Sequence, residues 1–202
     1  MDLRRIRNHF KLVDPIIYEV LRKVDFGKWL TPRKESEYFV SLCREIIGQQ
    51  LSDKASAKII ERFMDLFSNG KVTPETIERL TEEKLRQAGM AWSKVRYLKN
   101  LARAVIDRQV HFNIIKNYSD ERVVEELTRV KGIGPWTAEM FLIFTLGRED
   151  VFSFGDLGLR RAIEKLYQVK NPSADQLEKI TAPWSPYRTY GSIVLWQSLE
   201  DK

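Results

Sequence analysis

A chain of 202 residues, 43% hydrophobic and 31% charged, is long enough for a substantial core, and no segment of it has the low hydrophobicity of a disordered tail. Thirty-four Lys and Arg against 28 Asp and Glu leave a net charge of +6, which hints at a polyanionic partner and equally suits an ordinary basic soluble protein. A single cysteine, Cys43, excludes an intrachain disulfide or a cysteine-rich metal site; His9 and His111 lack metal-ligand spacing, and no stretch reaches the ~18 apolar residues of a membrane span. The polar start MDLRRIRNHF is no signal peptide, so the expectation is an intracellular soluble protein.

Apolar residues recur mostly at helical spacing, and alternating strand patterns are scarce. EYFVSLCREIIGQQ reads as an apolar helix that stops near Gly48, and Ser52 caps the next, with Ala55, Ile59, Phe63 and Leu66 on one face. Thr73 and Pro74 open a short helix. SKVRYLKNLARAVIDRQ is amphipathic, with Val95, Leu98, Ala102 and Val105 inward. SDERVVEELTRV follows, entered through Ser119 or Asp120. Further helices are expected from Pro135 to Leu146, after Asp156 in LGLRRAIEKLY, after a Ser173–Gln176 capping box, and across SPYRTYGSIVLWQSL. FSNGK and VKNPSAD read as local turns. The count predicts an all-α array of about nine to eleven helices.

VKGIGPWTAEMF, Val130 to Phe141, is the segment that carries chemistry. Gly132 and Gly134 allow a tight turn and close approach of a ligand to the backbone, and the helix that begins at Pro135 turns its first N–H groups toward that turn. Helix, glycine hairpin, helix is a backbone device for gripping a nucleic-acid strand without reading its bases. A G-x-G spacing alone is equally an interhelical turn.

The wider pattern L-x-x-V-x-G-I-G-x-W-T-A resembles the helix–hairpin–helix of the base-excision DNA glycosylases, and the best match is to the 3-methyladenine DNA glycosylase II, or alkylbase, family. IIGQQLSDKAS, AGMAWSKVRYLKNLA, DVFSFGDLGLRRAI and WSPYRTYGSIVLW resemble the family's other segments in the same order, over about residues 37–199. Ala91 stands where serine is usual, Gly191 where alanine is, and Met140 where tyrosine often is. The resemblance implies a two-lobed helical fold. One lobe runs over about 36–146 with the hairpin at 130–138; the other joins about 1–35 to 147–202. It implies a minimal chain without the β-rich N-terminal domain of the bacterial type member.

The same resemblance makes Asp156 the catalytic carboxylate, beside Gly155, and that residue also reads as a helix N-cap; the two roles are compatible. Glycosylases that also cut the backbone carry a Schiff-base lysine where this chain has Trp136, so the expected activity is monofunctional: hydrolysis of the N-glycosidic bond of alkylated purines such as 3-methyladenine and 7-methylguanine. Another lesion (hypoxanthine, uracil or an oxidised purine) and a non-catalytic DNA-binding module are the alternatives. Trp136, Met140 and Trp196 are implied as the base pocket, although Trp136 also reads as a core tryptophan.

Gln49, Gln50, Leu51, Lys131, Gly132, Ile133, Gly134, Trp136 and Thr137 are implied to meet DNA, with Gln50 and Leu51 as strand wedges and Gln49 facing the orphaned partner base or supporting its loop. The two glutamines equally suit a helix end. Lys94, Arg160, Arg161 and Arg188 are further candidate cations, Arg188 with a structural role as the alternative. The backbone carbonyls of Thr128, Val130 and Ile133 are implied to hold Na+ or K+. No other cofactor and no iron–sulfur cluster is expected. Damaged double-stranded DNA is the implied partner of a monomer, in the cytoplasm or nucleoid, or in a nucleus.

Overall fold

In the computed structural model, which describes residues 2–67 and 70–200, all regular structure is helical. Ser68 and Asn69, in the expected FSNGK turn, lie outside the described residues. The chain divides into two compact units, Met1–Pro32 with Gly147–Lys202, and Arg33–Leu146.

The Arg33–Leu146 unit holds α3 (Tyr38–Gly48), α4 (Asp53–Asp65), α5 (Pro74–Arg79), α6 (Glu82–Gln87), α7 (Trp92–Ile106), α8 (Asp120–Thr128) and α9 (Pro135–Phe141). Helix starts follow cap chemistry: Ser52, Thr73, Thr81 and Ser119 each accept a backbone N–H at the start of α4, α5, α6 and α8. α3 buries Tyr38, Phe39, Leu42, Cys43, Ile46 and Ile47, so it runs as the apolar axis against which α4, α7 and α9 pack. Burial pushes the Cys43 thiol far above its ordinary value, as befits a core side chain and not a nucleophile.

The helix expected from Pro135 to Leu146 is α-helical only to Phe141; Leu142–Leu146 widens into a π-turn. That turn brings Thr145 Oγ1 to 2.6 Å from Ser41 Oγ, and the Thr145 carbonyl accepts from Arg33 N at 2.9 Å, so tertiary hydrogen bonds accompany the departure from α geometry.

The other unit holds α1 (Leu3–Val13), α2 (Pro15–Leu21), α10 (Leu157–Tyr167), α11 (Ala174–Thr181) and α12 (Arg188–Glu200). Twelve α-helices among the described residues exceed the expected nine to eleven; α1, α2 and α6 are the additional ones, and each begins at an aspartate or threonine cap. Asp14 caps α2 and also accepts from Tyr167 Oη at 2.5 Å and Trp184 Nε1 at 2.8 Å, tying α2, α10 and the turn before α12 together. α12 is buried from Tyr190 through Leu195 and forms the centre of this unit. It starts at Arg188, three residues later than its sequence suggests, after a 3-10 turn and a cis Ser185–Pro186 bond. A Cβ at Gly191 would lie 2.4 Å from the Trp184 ring, which accounts for glycine where the family has alanine.

Candidate active site

The hairpin leaves α8 at Thr128 and enters α9 at Pro135. Gly132 takes φ +110°, and a Cβ there would sit 2.1 Å from Tyr97 Cγ, so α7 packs directly against the turn's backbone. Two further side chains pin it. Gln49 Nε2 donates to the Gly132 carbonyl at 3.0 Å and to Thr137 Oγ1 at 2.9 Å, and Asn100 Nδ2 donates to the Lys131 carbonyl at 3.0 Å.

Val130, Ile133 and Thr137 are buried, whereas Lys131 and Gly134 are exposed, and nothing lies within 4 Å of a Cβ built on Gly134. Ile133 and Thr137 turn inward and anchor the hairpin, and the Gln49 amide supports the turn, the second of its two expected roles. The approachable surface is the Lys131 side chain and the backbone at Gly134.

The loop after α3 is shaped from beneath. Lys94 Nζ donates to the Ile47 and Gln49 carbonyls at 2.8 and 2.6 Å, satisfying the end of α3, and desolvation lowers its pKa. Lys94 is therefore a carbonyl cap and not a phosphate-facing cation. Gln50, in the same loop, adopts φ +56° and is exposed, and Leu51 is 37% exposed. A left-handed glutamine costs roughly 1 kcal/mol or more.

Asp156 is the N-cap of α10: its Oδ1 accepts from Leu159 N at 2.8 Å and from Trp196 Nε1 at 3.2 Å. It is 8% exposed, between exposed Gly155 and Leu157. A Cβ on Gly158 would lie 3.0 Å from Asp156 Oδ1 and 3.3 Å from the Trp196 ring, so glycine there makes room for the pair. The preceding segment is clamped to the start of α12. Arg188 Nε and Nη2 donate to the two Asp150 oxygens at 2.9 and 3.2 Å, and Thr189 Oγ1 donates to the Arg148 carbonyl at 2.7 Å. Desolvation opposes ionisation of Asp150, but hydrogen bonds from Arg188 and Ser185 outweigh it and hold the carboxyl below its ordinary value.

These contacts occupy several of the candidate side chains. Trp196 is only partly buried, and its indole N–H orients the Asp156 carboxylate. Arg188 is structural, and Arg160 Nη2 donates to the Pro172 carbonyl at 2.7 Å, leaving exposed Arg161 as the free-standing candidate of that pair. On α9, Trp136 is partly exposed and Met140, one turn on, is buried. The supporting roles of Tyr97 and Asn100 escaped sequence reasoning, although their i, i+3 spacing on α7 marks them as one face. Among the described residues no group of three or more His, Cys, Asp or Glu side chains could hold a metal ion, and no helix is long and apolar enough to cross a membrane.

A glycine hairpin braced from behind and open at its tip defines a helix–hairpin–helix protein that grips nucleic acid through backbone, and a carboxylate fixed in place at a helix start is suited to stabilising a cation. Residues 43–186 match the model of the HhH-GPD superfamily of base excision DNA repair proteins, and the chain belongs to that family. Its relatives in Schizosaccharomyces pombe include the alkylbase DNA glycosidase-like protein mag2, 32% identical over 200 residues, or 97% of this chain and 93% of that one. DNA-3-methyladenine glycosylase 1 of the same yeast is 34% identical over 168 residues, 82% of this chain and 74% of its own. The solved structure of the S. pombe 3-methyladenine DNA glycosylase Mag1 in complex with abasic DNA superposes with a TM-score of 0.87 at 31% identity, covering 97% of each chain.

Proposed function

We propose that this chain is a monofunctional DNA glycosylase that hydrolyses the N-glycosidic bond of alkylated purines, of the 3-methyladenine and 7-methylguanine type, in base excision repair. The observation that carries this is Asp156, fixed at the start of α10 by Leu159 N and Trp196 Nε1. Cleavage of the bond builds positive charge on the deoxyribose. A pre-placed carboxylate stabilises that charge and orients the attacking water.

Trp136 offers an indole face to a base turned out of the duplex, and a cation over such a face gains about 0.5–2 kcal/mol. N3- and N7-alkylated purines carry that cation and are already good leaving groups. An indole at position 136 cannot form an imine, so the abasic strand stays intact. Gln50 and Leu51 fill the vacated stack, and the Gly134 backbone with Lys131 takes the phosphates. The carbonyls of Thr128, Val130 and Ile133 suit Na+ or K+: they are hard oxygen donors at the C-terminal, negative end of α8. Val130 O, which accepts Ile133 N at 3.0 Å, keeps a second lone pair. Such an ion would neutralise a bound phosphate.

Duplexes carrying one 7-methylguanine test the reading. Free base should appear with time, and strand breaks only after hot alkali. Breaks without alkali, or no released base, would overturn it.

A further inference from the structure

A second concavity in the Arg33–Leu146 unit has no part in the chemistry above. A cavity of about 410 Å³ lies between the segment that enters the unit, α3, the end of α4 and the turn before α5. Arg33, Arg44 and Lys71 line it, with Ser36 beside them and Val40, Met64 and Val72 as its apolar wall. That volume suits one small organic molecule. The cavity is distinct from the hairpin. Gln49 reaches Gly132 from the C-terminal end of α3, whereas Ser41, in the cavity wall, lies eight residues earlier, about 12 Å along the helix.

The backbone near each cation is anchored and its head group is not. Arg33 N donates to the Thr145 carbonyl at 2.9 Å, and Ser41 Oγ lies 2.6 Å from Thr145 Oγ1, so the entering segment and α3 meet at the π-turn. Arg44 follows Ser41 by three residues and shares its side of α3. In the turn before α5, Thr76 Oγ1 donates to the Lys71 carbonyl at 3.4 Å. All three cations are exposed, and no hydrogen bond or ion pair among the described residues engages their side chains. Glu37, the one acid in the wall, is spent on the Lys34 N–H at 3.0 Å. A single surface cation is merely solvated. Three that converge on one cavity from separate parts of the chain repel each other and focus a positive field there.

We propose that this cavity binds a phosphate monoester carrying a small organic group, of the mononucleotide kind. Three cations against one acid leave two positive charges, which match the near-dianion of a phosphate monoester at pH 7 better than a carboxylate or a backbone diester. A guanidinium presents a fork that fits two phosphate oxygens, and the lysine supplies a point charge. The Ser36 hydroxyl adds a donor, and Val40, Met64 and Val72 cover the carbon part of the ligand. The site goes beyond the glycosylase reading, since neither Arg44 nor Lys71 belongs to the base-release machinery.

Calorimetric titration of the full chain with AMP tests this, with adenosine as the control that lacks the phosphate. AMP should bind saturably and adenosine should not. Arg44→Gln and Lys71→Gln should each weaken AMP binding by about tenfold or more, the usual worth of a hydrogen bond to an ionised group. Lys131→Gln, at the hairpin, should leave AMP binding unchanged, and both cavity variants should release 7-methylguanine at the wild-type rate. Each of the two removes like-charge repulsion, so neither should melt below wild type. No saturable binding of AMP by wild type, or equal binding of adenosine, overturns the site. So does AMP binding that survives both cavity variants and falls with Lys131→Gln, because the hairpin then holds the phosphate. A duplex Kd that rises in Arg44→Gln without any AMP binding also overturns it, and makes Arg44 a contact to the DNA backbone. Absence of base release with AMP binding intact would remove the glycosylase reading and leave this site standing.

Discussion

The indole N–H of Trp196 donates to the Asp156 oxygen that also caps α10, at 3.2 Å, so one carboxylate oxygen is held by a helix start and a second helix at once. Two donors on a single oxygen fix the rotation of the group. Trp196→Phe keeps the ring and removes the donor. A hydrogen bond to an ionised group contributes about 1.5–3 kcal/mol, so kcat for base release should drop roughly 10- to 100-fold with the lesion-DNA Kd little changed. If Trp196 were chiefly a stacking wall, the phenylalanine ring would preserve the rate and the measured drop would be under threefold.

Asp156→Asn separates chemistry from folding. Asparagine is as good a helix cap as aspartate, so the melting temperature should stay within a few degrees. The negative charge beside the sugar is gone, and base release should fall by at least about 100-fold while binding to duplex persists. Turnover within tenfold of wild type would mean that another group supplies the charge.

The two hairpin glycines should fail in different ways. Gly132→Ala forces a left-handed φ and a Cβ 2.1 Å from Tyr97, so thermal melting should show a loss of about 2 kcal/mol or more, and DNA binding should weaken with it. Gly134 has φ −94° and an open site for a Cβ, so Gly134→Ala should melt as wild type does. Its methyl group occupies space that a phosphate needs, and Kd for any duplex should rise about tenfold, irrespective of the lesion. Equal melting losses for the two variants would contradict this division between a packed glycine and an open one.

What was legible beforehand was local. Ser52, Thr73, Ser119 and Ser173 announced helix starts because capping is decided within three or four residues, and the structure has each cap. Asp2 and Asp14 cap α1 and α2 by the same rule, in a basic segment ahead of the first motif the sequence offers. The glycine hairpin was legible as a pattern, its bracing was not. Gln49 reaches a carbonyl 83 positions away, and Trp196 a carboxylate 40 positions away. Nothing in either residue's neighbourhood says whether its donor faces DNA or the protein's own backbone. Lys94 shows the same limit: a lysine on an amphipathic helix looks solvated until the unsatisfied end of α3 is found beside it.

Glu45 gives the stability a pH dependence whose sign can be stated. Its carboxyl is raised from 4.5 to about 7 by desolvation, so below pH 4.5 both the folded and the unfolded chain hold the proton and there is no penalty. Between 4.5 and 7 the unfolded chain ionises first, the folded chain binds more protons, and stability falls as pH rises; above about 7 the penalty is complete. Solvent contact of this partly buried group tempers the full linkage value, which leaves on the order of 2 kcal/mol. Glu45→Gln removes the ionisation, so the variant should melt near wild type at pH 5 and several degrees above it at pH 8. Asp150, whose carboxyl is lowered, acts only as pH drops toward and below its ordinary value of 3.8, outside this window. Melting curves of the two proteins that stay parallel from pH 5 to 8 would show that water reaches the Glu45 carboxyl freely.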